Sequence, residues 1–306
     1  MIVLAIVFSP RAPDGSIIFL QAGNLTDVLR QMSIIGIMSL GMTFVILTGG
    51  IDLSVGSILA LSTSITAMAL TMWLSPFGNA AHIAIAIAAS ILACTMIGAM
   101  NGYVIAKLRM QPFIVTLAAM IGVRGLAKHM TNNANIDIGF GENVPAVFAG
   151  VFQQKFLVIS SFVILAAIFW IVLDRTVFGR YVRAVGDNER AALYSGLPIR
   201  SVKTRVYLLS GALSGFAGVL YAAANHQGNP NAGNAYELDA IANVVIGGTS
   251  LAGGKGLISG TITGTFIMGV LTNSLRLNNV NSNVEMMVKA VIIVIAVAIQ
   301  KRDAAS

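Results

Sequence analysis

Within a long apolar sequence a single carboxylate, Asp52, follows Thr48-Gly49-Gly50-Ile51, where paired glycines break any helix that leads into it. An Asp in that place can accept backbone N–H bonds at a helix start, and this N-cap role stands ahead of a contact to a solute. Two more charges, Glu285 and Lys289, are spaced i,i+4 with the acid first. That order pairs on one helix face and lowers the cost of charge in an apolar run. A structural pair therefore stands ahead of a proton relay. Arg124, within a turn of the end of another apolar run, is placed to snorkel. The neutral polar residues Asn101, Asn225, Asn243, Thr249 and Asn273 lie on or beside Gly-containing apolar segments. Facing a cavity, such amides and hydroxyls would exchange hydrogen bonds with a polyhydroxyl solute without any fixed charge, and with Asp52 they form the candidate translocation path. The same groups can bond from helix to helix, and that reading stands first.

Other chemistries are excluded by what is missing. The nearest approach to a phosphate-cradling loop is Gly247-Gly248-Thr249-Ser250-Leu251-Ala252-Gly253-Gly254-Lys255-Gly256. Gly256 stands where the lysine should be followed by Ser or Thr, and Thr249 where glycine should open the loop, so it reads as a Gly-rich turn at a helix end. No His-Glu-x-x-His site and no Gly-x-Ser-x-Gly elbow is present. His82, His129 and His226 are scattered near span ends, and the lone Cys94 sits in an apolar run as a small core residue. No catalytic residue, metal or other cofactor is expected on the chain. The net charge of +7 lacks the clustered basic face and stacking aromatics of a nucleic-acid site.

The elements that must hold these residues follow from composition. The chain has 306 residues, 56% hydrophobic and 10% charged, too little charge for the skin of a soluble globule. Its solvent is lipid. Runs of about 20 apolar residues predict an all-α, polytopic membrane helical bundle of about ten segments forming one domain, 1–306. The proposed segments are Met1–Phe8, Met32–Leu47, Val55–Leu74, Ile83–Ala106, Phe113–Ala127, Phe156–Leu173, Val206–Ala224, Leu238–Ala252, Leu257–Leu275 and Val284–Ile299. Met1–Phe8 reads as a partial first helix, and Leu238–Ala252 is a span only if buried against its neighbours. With both termini cytoplasmic, most Lys and Arg fall on inner segments, and Arg11, Arg30, Lys128, Lys155 and Arg276 on outer ones. Small residues at four-residue spacing (Gly98 and Gly102, Gly211 and Gly215, Gly260 and Gly264) predict close helix crossings.

One inner loop, 174–205, carries ten of the 31 charged residues. Within it Asn188–Gly196 (Asn188, Glu189, Arg190, Ala191, Ala192, Leu193, Tyr194, Ser195, Gly196) predicts a short helix that ends at Gly196 and Pro198. Small apolar residues on an exposed helix (Ala191, Ala192, Leu193, Ser195) suit docking into another protein's groove. A helix lying on the bilayer surface is the alternative.

The run Gly41-Met42-Thr43-Phe44-Val45-Ile46-Leu47-Thr48-Gly49-Gly50-Ile51-Asp52-Leu53-Ser54-Val55-Gly56-Ser57 resembles the signature of ribose-type sugar permeases, the membrane subunits of bacterial ABC importers. The resemblance continues through Tyr236–Ala242, Gly247–Gly256 and Lys289-Ala290, and spans about Phe19 to Arg302. It implies a multi-pass permease of the inner membrane working with a second permease copy, a cytoplasmic ABC ATPase that binds the ATP, and a periplasmic sugar-binding protein. It further implies that Asn188–Gly196 is the coupling helix, and that the cargo is ribose or a similar pentose or hexose. Members of that family usually carry a cytoplasmic N-terminal tail and a full first helix. An ion-coupled secondary transporter and a permease for another small solute, such as a branched-chain amino acid or sugar-like signal, are the alternatives.

Overall fold

In lipid a segment must satisfy its backbone N–H and C=O groups within itself, and helices do so. A computed structural model describes residues 2–73, 79–139 and 143–303. Its helices are α1 (Ile2–Val7), α2 (Ala22–Leu47), α3 (Val55–Met68), α4 (Asn79–Leu108), α5 (Pro112–Met130), α6 (Val144–Phe152), α7 (Lys155–Arg175), α8 (Val177–Asp187), α9 (Glu189–Tyr194), α10 (Ile199–Asn225), α11 (Tyr236–Ile246), α12 (Ile258–Leu277) and α13 (Ser282–Asp303). A π-helical turn, Ala69–Trp73, prolongs α3. Two short strands, β1 (Ile136–Asp137) and β2 (Gln227–Gly228), pair antiparallel with Ile136 opposite Gly228.

Among the described residues six helices, α2, α3 with its π turn, α4, α5, α7 and α10, are long and apolar enough to cross a membrane. Helices α12 and α13 have 20 and 22 residues but carry more polar side chains. Helices α1 and α11, with 6 and 11 residues, are too short for a bilayer core of about 30 Å at about 1.5 Å per residue. The segment expected over Leu238–Ala252 is thus half helix and half loop, because Gly247 and Gly248 (φ +87°) stop α11. Met1 and Leu74, outer limits of two expected segments, lie outside the described residues. The stretch 174–205 is helical almost throughout instead of being a loop. Asp174 and Arg175 close α7, α8 buries Gly179, Val182 and Val185 on one face, and Arg200, Lys203 and Arg205 belong to the start of α10.

Helix α2 is the hub. From Ile37 to Leu47 its hydrophobic residues are fully buried against α10, α11, α12 and α7, as befits a helix apolar all round. The crossing of α4 on α10 is set by glycine. A Cβ on Gly98 would lie 3.0 Å from the Gly211 Cα, and one on Gly215 would lie 2.7 Å from the Cys94 Cβ. Gly264 of α12 meets the backbone of α11 in the same way, at 2.9 Å from the Gly247 nitrogen. Leu92, Met96 and Met100 of α4, and Val163, Ile164, Ile168 and Ile171 of α7, face outward as an apolar belt. One end of the bundle gathers the close of α2, the α4–α5 turn, α8, α9 and the loop 247–257, with the Gly254 N–H donating to the Leu47 carbonyl at 3.0 Å. The opposite end holds the start of α2, the β pair and the close of α12, joined by an Asn24–Asn273 amide pair.

Two breaks lie inside this frame. After α2 the chain turns at Gly49 (φ +74°) and runs through 50–54 before α3 begins; after α10 it turns at His226 and runs through 229–235 before α11 begins. The two re-entries touch, because a Cβ on Gly233 would sit 2.7 Å from the Gly56 carbonyl oxygen.

Replacing Gly211 by Leu forces the α4 and α10 backbones apart, an expected loss of about 3 kcal/mol or more. Gly122→Leu on the open face of α5, where a Cβ meets nothing within 4 Å, is expected to leave stability unchanged or raise it by up to about 1 kcal/mol through helix propensity. Thermal unfolding of the purified chain in detergent compares the two.

Candidate translocation cavity and coupling helix

The first break is organised by Asp52, which is completely buried. Its Oδ1 accepts from the Ser54 backbone N–H at 3.0 Å and from the Ser54 hydroxyl, and its Oδ2 accepts from Ser210 Oγ of α10 at 2.8 Å. Asn101 Nδ2 of α4 donates to Ser54 Oγ at 3.0 Å. The N-cap position of α3 is Ser54, whose side chain makes no capping bond, so Asp52 closes an Asx turn one step ahead of the helix rather than capping it. Asp52 and Asn101 are thereby brought together as a pin joining α4 and α10 to the turn. The second break is pinned by Arg124, which donates to the Pro230 carbonyl at 3.0 Å and to that of Ala232, and by Thr63, whose Oγ1 donates to the Asn229 carbonyl at 3.0 Å. Arg124 therefore turns inward, onto carbonyls that no helix satisfies, instead of snorkelling.

A cavity of about 330 Å³ opens between α2, α10, α11, α12 and α13. Tyr236, Asp239 and Asn243 line it at i, i+3 and i+7, one face of α11. Tyr221 and Asn225 line it from α10, Thr265, Thr272 and Arg276 from α12, and Lys289 from α13. No lining residue lies beyond Asn243 on α11 toward α9. There the bundle is closed by Asn243 Nδ2 donating to Ser39 Oγ at 2.9 Å and by a Thr43–Thr261 hydroxyl pair at 2.7 Å.

Of the six residues expected along a path, Asn225 and Asn243 reach this cavity. Asn273 is taken up by its pair with Asn24, and Thr249 is buried in the Gly-rich loop against Gly256. Sequence reading passed over Asp239, Arg276 and the two tyrosines as residues of the site. The polar i, i+3, i+7 repeat of Tyr236, Asp239 and Asn243 along α11 is the available signal.

The expected Glu285–Lys289 pair forms, with Lys289 Nζ 3.0 Å from Glu285 Oε1. Tertiary packing extends it. The same Nζ lies 3.0 Å from Asp239 Oδ1, and Arg276 Nε lies 3.2 Å from Glu285 Oε2. Two cations and two anions make a neutral chain linking α11, α12 and α13, the form in which charge is tolerated at membrane depth. Among the described residues, no group of three metal-ligating side chains exists.

At the other end, α9 forms where it was expected. The Asn188 side chain accepts from the Ala191 N–H at 2.9 Å as N-cap, and Gly196 at φ +77° ends it. Ala192 faces inward and is buried, whereas Ala191, Leu193, Tyr194 and Ser195 are exposed, Tyr194 at 89%. A Glu189–Lys203 pair at 2.8 Å ties α9 to α10. A cleft of about 900 Å³ separates α9 from Arg109–Pro112 of the α4–α5 turn. Behind α9, Gly186 at the end of α8 packs against the Leu47 carbonyl and Gly254, so α8, α2 and the Gly-rich loop meet backbone to backbone.

Residues 24–297 match the family described as the permease component of the branched-chain amino acid transport system. The chain belongs to this permease family. It is 41% identical to the ribose import permease protein of Bacillus subtilis, covering 100% of this chain and 92% of that one. It is 36% identical to an L-arabinose ABC transporter permease protein of Azospirillum brasilense, covering 97% and 84%. It is 31% identical to the xylose transport system permease protein of Escherichia coli, covering 97% and 88%. No solved structure matches the chain. The permease is a multi-pass membrane protein.

Removing Lys289 as Lys289→Met strands Asp239 and Glu285 and is expected to lower stability by about 3–5 kcal/mol, part of which Asp239→Asn in the same chain restores. Asp52→Ala is expected to lower it by roughly 1.5–3 kcal/mol for each charged hydrogen bond lost, with Asp52→Asn closer to the parent protein. Melting temperatures in detergent rank these variants; an Asp52→Ala permease as stable as the parent would remove the pin from the account.

Proposed function

We propose that this permease is the membrane subunit of an ATP-driven importer carrying a monosaccharide, ribose or a similar pentose or hexose, across the bacterial inner membrane. The full-length likeness to sugar permeases, 41% to the ribose proteins, carries the reading. A cavity lined by amides, hydroxyls and charged side chains that are already paired with one another or with neighbours supports it, since sugar hydroxyls both donate and accept. The subunit has no catalytic site of its own. ATP is hydrolysed by a cytoplasmic ABC ATPase, a periplasmic sugar-binding protein delivers the sugar, and a second permease copy completes the membrane unit. Both termini are cytoplasmic and the chain has ten membrane segments, of which α1 and α11 are partial. The basic residues Lys107, Arg109, Arg175, Arg180, Arg183, Arg190, Arg200, Lys203 and Arg205 lie near the α9 end, which suits its placement inside.

In this mechanism α9 (with its flanks, Asn188–Gly196) docks on the ATPase. Movement of α9 passes through α8 to the end of α2 at Leu47 and to the Gly-rich loop, and so to α11 and α12 around the cavity. Separation of the Ser39–Asn243 and Thr43–Thr261 contacts would open the cavity inward, the rocking expected of alternating access.

Leu193→Asp and Tyr194→Asp change exposed side chains without touching the core. Each is expected to cut sugar uptake by cells at least tenfold and to lose the ATPase on co-purification, at unchanged permease abundance. Normal uptake with a retained ATPase would sink the coupling role. Uptake that survives ATP depletion and collapses with the ion gradient would instead show a secondary transporter.

A further inference from the structure

Among the described residues that line the cavity, one, Asn243, carries a fully buried polar side-chain atom without a hydrogen-bond partner. Asn243 is 2% exposed, and its Nδ2 is spent on Ser39, while its Oδ1 is buried with no hydrogen-bond partner. A buried acceptor left open is costly, and such an atom in the wall of a cavity marks a place for a donor. Around it stand groups of complementary character. Asp239 and Lys289 form an ion pair that is neutral as a unit yet offers both acceptor and donor positions. Asn225 adds an amide, and the Tyr221 and Tyr236 rings, edge to face with centroids 6.2 Å apart, add an aromatic wall. The volume, about 330 Å³, lies at the small end of ligand sites, which run from roughly 300 to 1,000 Å³. From Tyr236 to Asn243 the lining face of α11 is about 10 Å deep, enough for one small solute.

We propose that this cavity is a monosaccharide-binding site belonging to the permease itself, in which Asn243 Oδ1 accepts a sugar hydroxyl. The neighbouring hydroxyls exchange hydrogen bonds with the Asp239–Lys289 pair, and the apolar face of the sugar ring lies along Tyr221 and Tyr236. A branched-chain amino acid fits the same walls poorly. Its two charges would need partners, but the charged lining residues are already engaged, Asp239 with Lys289, Arg276 with Glu285 and Arg30 with Asp27. An aliphatic side chain would leave the Asn243 acceptor unmet. The permease thereby takes part in selecting the solute in addition to conducting it. This inference rests on the reading of the chain as a monosaccharide permease.

The permease–ATPase complex in lipid nanodiscs, without any binding protein, is titrated with radiolabelled D-ribose, L-arabinose, D-allose and D-xylose, and with L-leucine as competitor. Saturable binding of at least one sugar is expected, undisturbed by L-leucine. Asn243→Leu is expected to weaken it at least tenfold, and Asn225→Ala, a change at an exposed residue that leaves the fold intact, about threefold. Melting temperature and ATPase co-purification confirm that both variants are assembled. The proposal is overturned if none of the four sugars binds, if L-leucine displaces the bound sugar, or if both variants bind as the parent does. Uptake by cells carrying the whole system separates the two levels. Sugar uptake without binding to the permease rejects the site and keeps the function, whereas absence of uptake of any of the four rejects both.

Discussion

A backbone that leaves its helix inside a membrane has no water to turn to, so every freed N–H and C=O must be met by protein. This permease breaks its helices twice inside the bundle, before α3 and before α11, and much of the architecture serves those breaks. Asp52, with Ser54, Ser210 and Asn101, closes the first. Arg124 and Thr63 meet the carbonyls of the second. The close approach of Gly56 and Gly233 lets the two re-entries share one buried space. A continuous helix in either place would be simpler to satisfy, but it would fill the interior with apolar side chains.

Charge is handled on the same terms. Beside the cavity, Arg276, Glu285, Lys289 and Asp239 form one set in which each member has an opposite partner near 3 Å, whereas Asp52 and Arg124 are met by neutral hydrogen-bond partners. Helix α13 buries Glu285 while Met287, Val291 and Val294 point outward. It is held largely by ionic contacts rather than by interlocking apolar packing. Such contacts are directional and can exchange partners.

At the α9 end of the molecule, α8, α2 and the Gly-rich loop are joined by backbone contacts. Gly186 of α8, the Leu47 carbonyl of α2 and Gly254 of the Gly-rich loop pack without side chains between them. A junction of that kind has little slack, so displacement at α9 reaches the hub helix without being absorbed by rotamer changes. The same loop that fails as a phosphate cradle is used here as a packing surface.

Much was legible in the sequence because it depends on local rules. The scarcity of charge identified lipid as the solvent, the apolar runs placed the long helices, Asn188 and Gly196 bounded α9, and i,i+4 spacing gave the Glu285–Lys289 pair. Each of these is decided within a few turns of chain. Convergence over long separations was not legible. Lys289 meets Asp239 at a separation of 50 residues, Asn243 meets Ser39 at 204 and Asn24 meets Asn273 at 249. Those meetings depend on how the helices approach one another, as α12 does on α11 at Gly264, which the spacing suggested but could not orient. Sequence alone therefore determined a helical membrane protein with a short exposed helix at 189–194. Only the tertiary structure decided which of its polar residues satisfy each other and which, like Asn243, are left facing a cavity, because hydrogen bonding at depth is settled by packing and not by propensity.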